Sequence, residues 1–150
     1  MFPEKSSPEF IIEKIKKGEW TYVINGLCNI KDNLIIFDYN YFKLFATKET
    51  YEIILTHVAN CLNNVLSMHA TFIVHINIKN LTITDIDKHL NFIKYVSAFM
   101  QEKYPNKLTK CYVYNAPIVF SKIVNMLSFF IDKETQTKIE LIRHKIETHK

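Results

Sequence analysis

Only two glycines, Gly18 and Gly26, and a single arginine, Arg143, stand in the 150 residues. So few glycines exclude a P-loop and a dinucleotide-binding turn, because both need several positions at which backbone approaches phosphate with no side chain between. With one arginine, the net charge of +4 comes from lysine. Lysine is a mobile point charge without the planar fork that reads base edges, so the charge argues against nucleic acid and suits an anionic membrane surface or a phosphate group. A solvated lysine-rich surface is the plainer reading of the same charge.

Cysteine is also sparse: Cys28, Cys61 and Cys111 are odd in number and widely spaced. They read as buried thiols in a reducing compartment rather than as a disulfide framework. No stretch is long and apolar enough to span a bilayer, the longest run, 118–131, being interrupted by Lys122 and Asn125. The first residues lack the apolar segment of a secretory signal. The expectation is one soluble cytoplasmic domain over residues 1–150, large enough for a single core.

Catalytic patterns are missing too. There is no G-x-S-x-G elbow, no cysteine in an activated context and no carboxylate pair at an expected strand end. The six histidines fall in no ligand spacing. The sequence predicts a protein that is not an enzyme and has neither metal nor cofactor.

What is present is hydrophobic periodicity. Ser7-Pro8-Glu9 opens a short helix that Gly18 ends. The apolar run at 20–24 predicts a strand, Asn25-Gly26 a turn, and 34–37 its pairing partner after the turn at Lys31-Asp32-Asn33. Lys48-Glu49-Thr50 opens an amphipathic helix marked by Ile54, Val58, Leu62 and Val65. In the strand at 72–78, Phe72, Val74, Ile76 and Ile78 share one face, and Ile73, His75 and Asn77 the other. Thr84-Asp85 caps a further helix whose core positions include Phe92, Val96 and Phe99. Strands alternating with helices imply an α/β sandwich with a mixed, mostly parallel sheet.

The stretch 99–139 carries the strongest pattern. Tyr104-Pro105 stops a helix, a basic segment at 107–110 leads into an apolar strand at 111–114, and Asn115-Ala116-Pro117 starts a helix over 118–130. Phe130-Ile131-Asp132 and Lys138-Ile139 follow, all without a gap. This order resembles the CRAL-TRIO lipid-binding family. In the first third the resemblance departs from the family pattern, with Lys31-Asp32-Asn33 where a Gly-Arg-Pro precedes the first strand.

The resemblance implies a sheet floor with helices on one side and a hydrophobic lipid pocket on the other. Its wall would include Phe72, Val74, Ile76, Tyr112, Tyr114, Phe120, Ile123, Leu127 and Phe130, each of which also reads as ordinary core. By comparison with the phosphatidylinositol-transfer branch, Lys138 and Thr135 match head-group positions, and Asn106 stands where that branch has glutamate. Full-length members carry a helical bundle before the sheet and a gate helix after it. Little of this chain is left for either, so the resemblance implies a minimal domain. The function implied is binding of a phospholipid, phosphoinositide or other hydrophobic ligand at a membrane surface, with lipid transfer as an extension. The alternative is a protein-interaction module of the BCH type, which an uncovered apolar face would suit and which could pair as a homodimer.

Overall fold

A computed structural model describes Phe2 and residues 7–143. The charged end of the chain, with His144 and His149, lies outside the described residues. The Ser7 hydroxyl accepts from the Phe10 amide and Pro8 sits in the first turn of α1 (Pro8–Lys16), two cheap solutions for amides that lack helical partners. Gly18 ends this segment at φ +74°, a conformation that favours glycine.

Residues 20–24, expected as a strand, instead open helix α2 (Trp20–Leu27), which also absorbs the expected turn at Asn25-Gly26. A short apolar run does not distinguish strand from helix by itself, and here packing decides. Val23 and Leu27, four apart, are fully buried, and the Trp20 ring meets Phe45 edge-on. Gly26 lies against the Tyr41 ring so closely that a Cβ would overlap it. Substituting alanine for a helical glycine normally stabilises by about 1 kcal/mol. At this site Gly26→Ala is expected to destabilise by about 1–3 kcal/mol through overpacking against a buried ring, a sign that urea unfolding reads directly.

The pairing partner expected at 20–24 is supplied by β1 (Cys28–Lys31), antiparallel to β2 (Leu34–Asp38) across a tight turn with Asp32 at φ 55°. Asp38 caps α3 (Tyr39–Phe45) through the Asn40 amide. Helix α4 (Tyr51–Leu66) leads to β3 (Phe72–Asn77). The next helix is two: α5 (Ile83–Lys88) and α6 (Leu90–Lys103), divided at His89. The cap is Thr82, with Asp85 completing a reciprocal capping box, rather than Thr84-Asp85. Strand β4 (Leu108–Tyr114) starts three residues earlier than expected. Helix α7 (Phe120–Leu127) covers only the middle of 118–130, and α8 (Lys133–Thr137) precedes β5 (Ile139–Ile142).

The sheet runs β1-β2-β3-β4-β5, antiparallel at the first pair and parallel thereafter. Sequential order has a geometric consequence. Every parallel crossover steps the same way along the sheet, so the right-handed rule places all the crossover helices on one face. Packing agrees: α4 and α6 meet through a stacked Tyr51–Phe92 pair, with ring centroids 4.2 Å apart, and through the Tyr104 hydroxyl donating to Asn63. Register fixes the two faces. Val74 pairs with Cys111 and Ile76 with Val113, so these four share the helical face, whereas His75–Tyr112 and Asn77–Tyr114 occupy the opposite one.

Candidate functional site

An apolar cavity of about 330 Å³ lies between the helical face of the sheet and helices α6 and α7. Its floor is Phe37, Ile76, Cys111, Val113 and Ile139; its walls are Phe92, Ile93 and Val96 from α6 and Phe120, Ile123, Val124 and Leu127 from α7. Among the described residues no charged side chain lines it. Spacing explains the walls, since Phe120, Ile123, Val124 and Leu127 form one i, i+3, i+4, i+7 stripe. Against the sheet, Ile123 is fully buried. Burial pushes the Cys111 thiol up to about 11, as expected for sulfur in apolar surroundings.

A second cavity of about 340 Å³ adjoins the first, and Val96, Ser97 and Ile131 line both. Its composition differs. Phe72, Val74, Met100 and Leu108 provide apolar surface, while Gln101, Asn106, Asp132, Glu134, Thr135 and Lys138 provide polar and charged groups. The Lys138 ammonium stands 3.5 Å from the Glu134 carboxylate. Thr135 and Lys138 lie on one turn, joined by a hydrogen bond from the Lys138 amide to the Thr135 carbonyl. Gln136 anchors the segment by donating its amide to the Ile131 carbonyl at 2.6 Å. Asn106 has φ 60°, a left-handed conformation that asparagine tolerates and glutamate does not favour, so the backbone alone justifies the residue.

The structure therefore brings Phe72, Val74, Asn106, Thr135 and Lys138 together in one chamber and Ile76, Phe120, Ile123 and Leu127 in the other. Tyr112 and Tyr114 are in neither. They sit on the opposite sheet face, where both rings pack on His75 and the Tyr114 hydroxyl bonds His75 Nδ1 at 2.7 Å. From the same strand it is Cys111 and Val113 that face the apolar chamber. Phe130 also lies outside the cavities, beneath the Lys94 ammonium 4.8 Å from its ring centre. The expected separation of helices and pocket by the sheet is not what these cavities show, since both lie on the helical face. Phe37, Phe42, Ile78 and Phe92 were not expected as lining; they come from four different segments.

A larger cleft, about 1010 Å³, opens at the carboxyl ends of β2, β3 and β4. Such ends are common binding places in α/β folds. Here, however, Asp38, Asn40, Asn77 and Asn115 are engaged with one another. Asn115 donates to Asn77 at 2.8 Å, Asn77 to Asp38 at 3.4 Å, and Asp38 also accepts from the Asn40 amide and side chain. Burial raises the Asp38 pKa above the ordinary carboxylate value, partly offset by those Asn40 bonds. Asn115, at φ 60°, is the asparagine of Asn115-Ala116-Pro117, and its amide ties the end of β4 to β3. Among the described residues no group of three or more histidines, cysteines, aspartates or glutamates is placed to hold a metal. Nor is any helix among them long and apolar enough to cross a membrane.

Comparison with known proteins agrees with this architecture. The sequence model of the CRAL/TRIO domain matches residues 39–149. The Sec14 cytosolic factor of Schizosaccharomyces pombe is 35% identical over 66 residues, which are 44% of this chain and 23% of that protein. The crystal structure of Sfh5 superposes with a TM-score of 0.61 at 20% identity, covering 75% of this chain and 45% of that one, a likeness of fold. The chain thus spans about a quarter of the curated relative's length and under half of the solved structure's.

Proposed function

Since the chain belongs to the CRAL/TRIO domain family, we propose that it binds an amphiphilic lipid, without catalysis, across the two adjoining cavities. The apolar chamber takes the hydrocarbon and the mixed chamber takes the polar head. The observation that carries this reading is the division of labour between the two spaces, one lined among the described residues by no charged group and the other by Lys138, Thr135, Asn106, Asp132 and Glu134, sharing the Ser97 boundary. Ligand cavities generally measure about 300–1,000 Å³. At about 330 Å³ the apolar chamber is at the small end, which favours a single short chain or a folded fragment of one over two full acyl chains.

Charge balance bears on the head group. One lysine faces two carboxylates in the polar chamber, and Glu134 already partners Lys138. That balance suits a head group carrying at most one phosphate, or a zwitterionic one, better than a multiply phosphorylated inositide. Lipid transfer between membranes and contact with an anionic surface extend the same reading. Ile118 and Phe129, fully or nearly fully exposed at either end of the α7 segment beside the apolar chamber, are placed to enter a bilayer interface. The same exposure supports the second reading, a surface for a protein partner or a second copy of the chain.

Titration with single-chain phospholipids of graded length tests the reading. Each methylene moved from water to the cavity is worth about 0.8 kcal/mol, so removing two carbons should weaken binding about tenfold until the chain is shorter than the chamber. Affinity independent of chain length would refute it. Lys138→Glu is expected to weaken a phosphate-bearing ligand about tenfold, by replacing a charge-assisted contact with repulsion. An uncharged analogue of equal length should bind as before, and isothermal titration calorimetry with the pair separates the two.

A further inference from the structure

Three reactive groups meet where α4 crosses β1, away from both chambers. His57 and Cys61 are one helical turn apart on α4, and Cys28 begins β1. His57 Nε2 stands 2.7 Å from the Cys28 carbonyl, and Cys61 Sγ lies 3.6 Å from the same nitrogen and 3.9 Å from the same carbonyl. Both cysteines belong to the same buried core cluster. A carbonyl can only accept, so Nε2 carries a proton and is shared between the Cys28 oxygen and the Cys61 sulfur. We propose that Cys61 and Cys28 are the attacking and resolving thiols of a peroxide-sensing site, with His57 stabilising the thiolate, that closes a disulfide between α4 and β1.

The chemistry balances with peroxide as oxidant. The Cys61 thiolate attacks one peroxide oxygen, the O–O bond breaks, and Cys61 becomes a sulfenic acid while the departing hydroxide takes a proton to become water. The Cys28 thiol then attacks the Cys61 sulfur, an S–S bond forms and a second water leaves. Two thiols together lose two electrons, which the peroxide gains.

Electrostatics distinguish the roles. The Cys61 thiol is held below its ordinary value by the hydrogen bond from Cys28 and then by those from and the charge of His57, against the effect of burial. Cys28 is raised, by its bond to Cys61 and by burial, as fits a resolving thiol that stays protonated until attack. His57 is raised, chiefly by its bond to Cys61, which fits an imidazolium beside a thiolate. Access is narrow: Cys28 is fully buried, Cys61 is 7% exposed and His57 is half-buried, so a small oxidant reaches the site and a bulky disulfide does not. The loop so closed, 28–61, contains Phe37, Tyr39 and Phe42, which line the apolar chamber, so oxidation would tether one wall of that chamber.

Hydrogen peroxide treatment of the whole chain, followed by alkylation and digestion without reduction, is the test. The expected product is a peptide joining Cys28 to Cys61 in a monomer lighter by two hydrogens, with Cys111 still alkylated. Cys28→Ser should instead accumulate a Cys61 sulfenic acid trapped by dimedone, and His57→Gln should slow disulfide closure about tenfold. Exposed Met68 serves as the internal gauge of oxidant dose. Sulfoxide at Met68 with no joined peptide, a disulfide only between chains, or an unchanged rate in His57→Gln would each overturn the proposal.

Discussion

Ser97→Phe is expected to abolish binding of a single-chain phospholipid, by at least a hundredfold, while leaving the fold within about 1 kcal/mol of its native stability. Ser97 lines both chambers from α6 and is only partly buried, so a phenyl ring there has room to project into the boundary without displacing core. Serine and phenylalanine have similar helix propensities, so the helix itself loses little. The ring occupies the space the ligand must cross to keep its chain in one chamber and its head in the other. A fluorescent lipid titration and a urea melt of the same sample separate the two effects. Retained binding in a well-folded variant would place the ligand elsewhere.

Phe72→Ala should have the largest effect on stability, about 3–5 kcal/mol. Phe72 begins β3 and is 1% exposed, among the largest fully buried side chains. It packs in the core cluster with Leu62 and Val65 of α4 while also flooring the polar chamber. Truncation removes contact area and leaves a void beneath the sheet, whereas the hydrogen bond that the Phe72 amide donates to the Lys107 carbonyl survives. Since a typical domain is stable by only about 5–15 kcal/mol, a loss of this size should bring the unfolding midpoint within reach of mild urea. A change below about 1 kcal/mol would contradict the packing assigned to it.

The architecture was legible wherever a residue type answers to a single backbone demand. Tyr104-Pro105 stopping α6, Asn115-Ala116-Pro117 closing β4 and the alternation along β3 all reappear in the structure. Residues 20–24 were not legible, because Trp20, Tyr22 and Val23 are strand formers that packing on α3 holds in a helix. Tyr112 and Tyr114 misled for another reason. A strand's sequence shows that alternate residues share a face but not which face meets the helices; only pairing with β3, which aligns Cys111 with Val74, settles it. Phe37, Phe92 and Ile78 belong to the cavity through crossovers of tens of residues, and no local pattern announces such neighbours. The meeting of His57, Cys61 and Cys28 was hidden similarly, although the i, i+4 spacing of the first two on an amphipathic helix put them on one face.

Native mass spectrometry of the purified chain after incubation with mixed phospholipid vesicles tests lipid binding most directly. Occupation of the paired cavities predicts one lipid per chain, lost in Ser97→Phe and reduced in Lys138→Glu when the head group carries phosphate. A chain that leaves the vesicles with no lipid, or a Ser97→Phe variant that carries the same lipid in the same proportion, would contradict it.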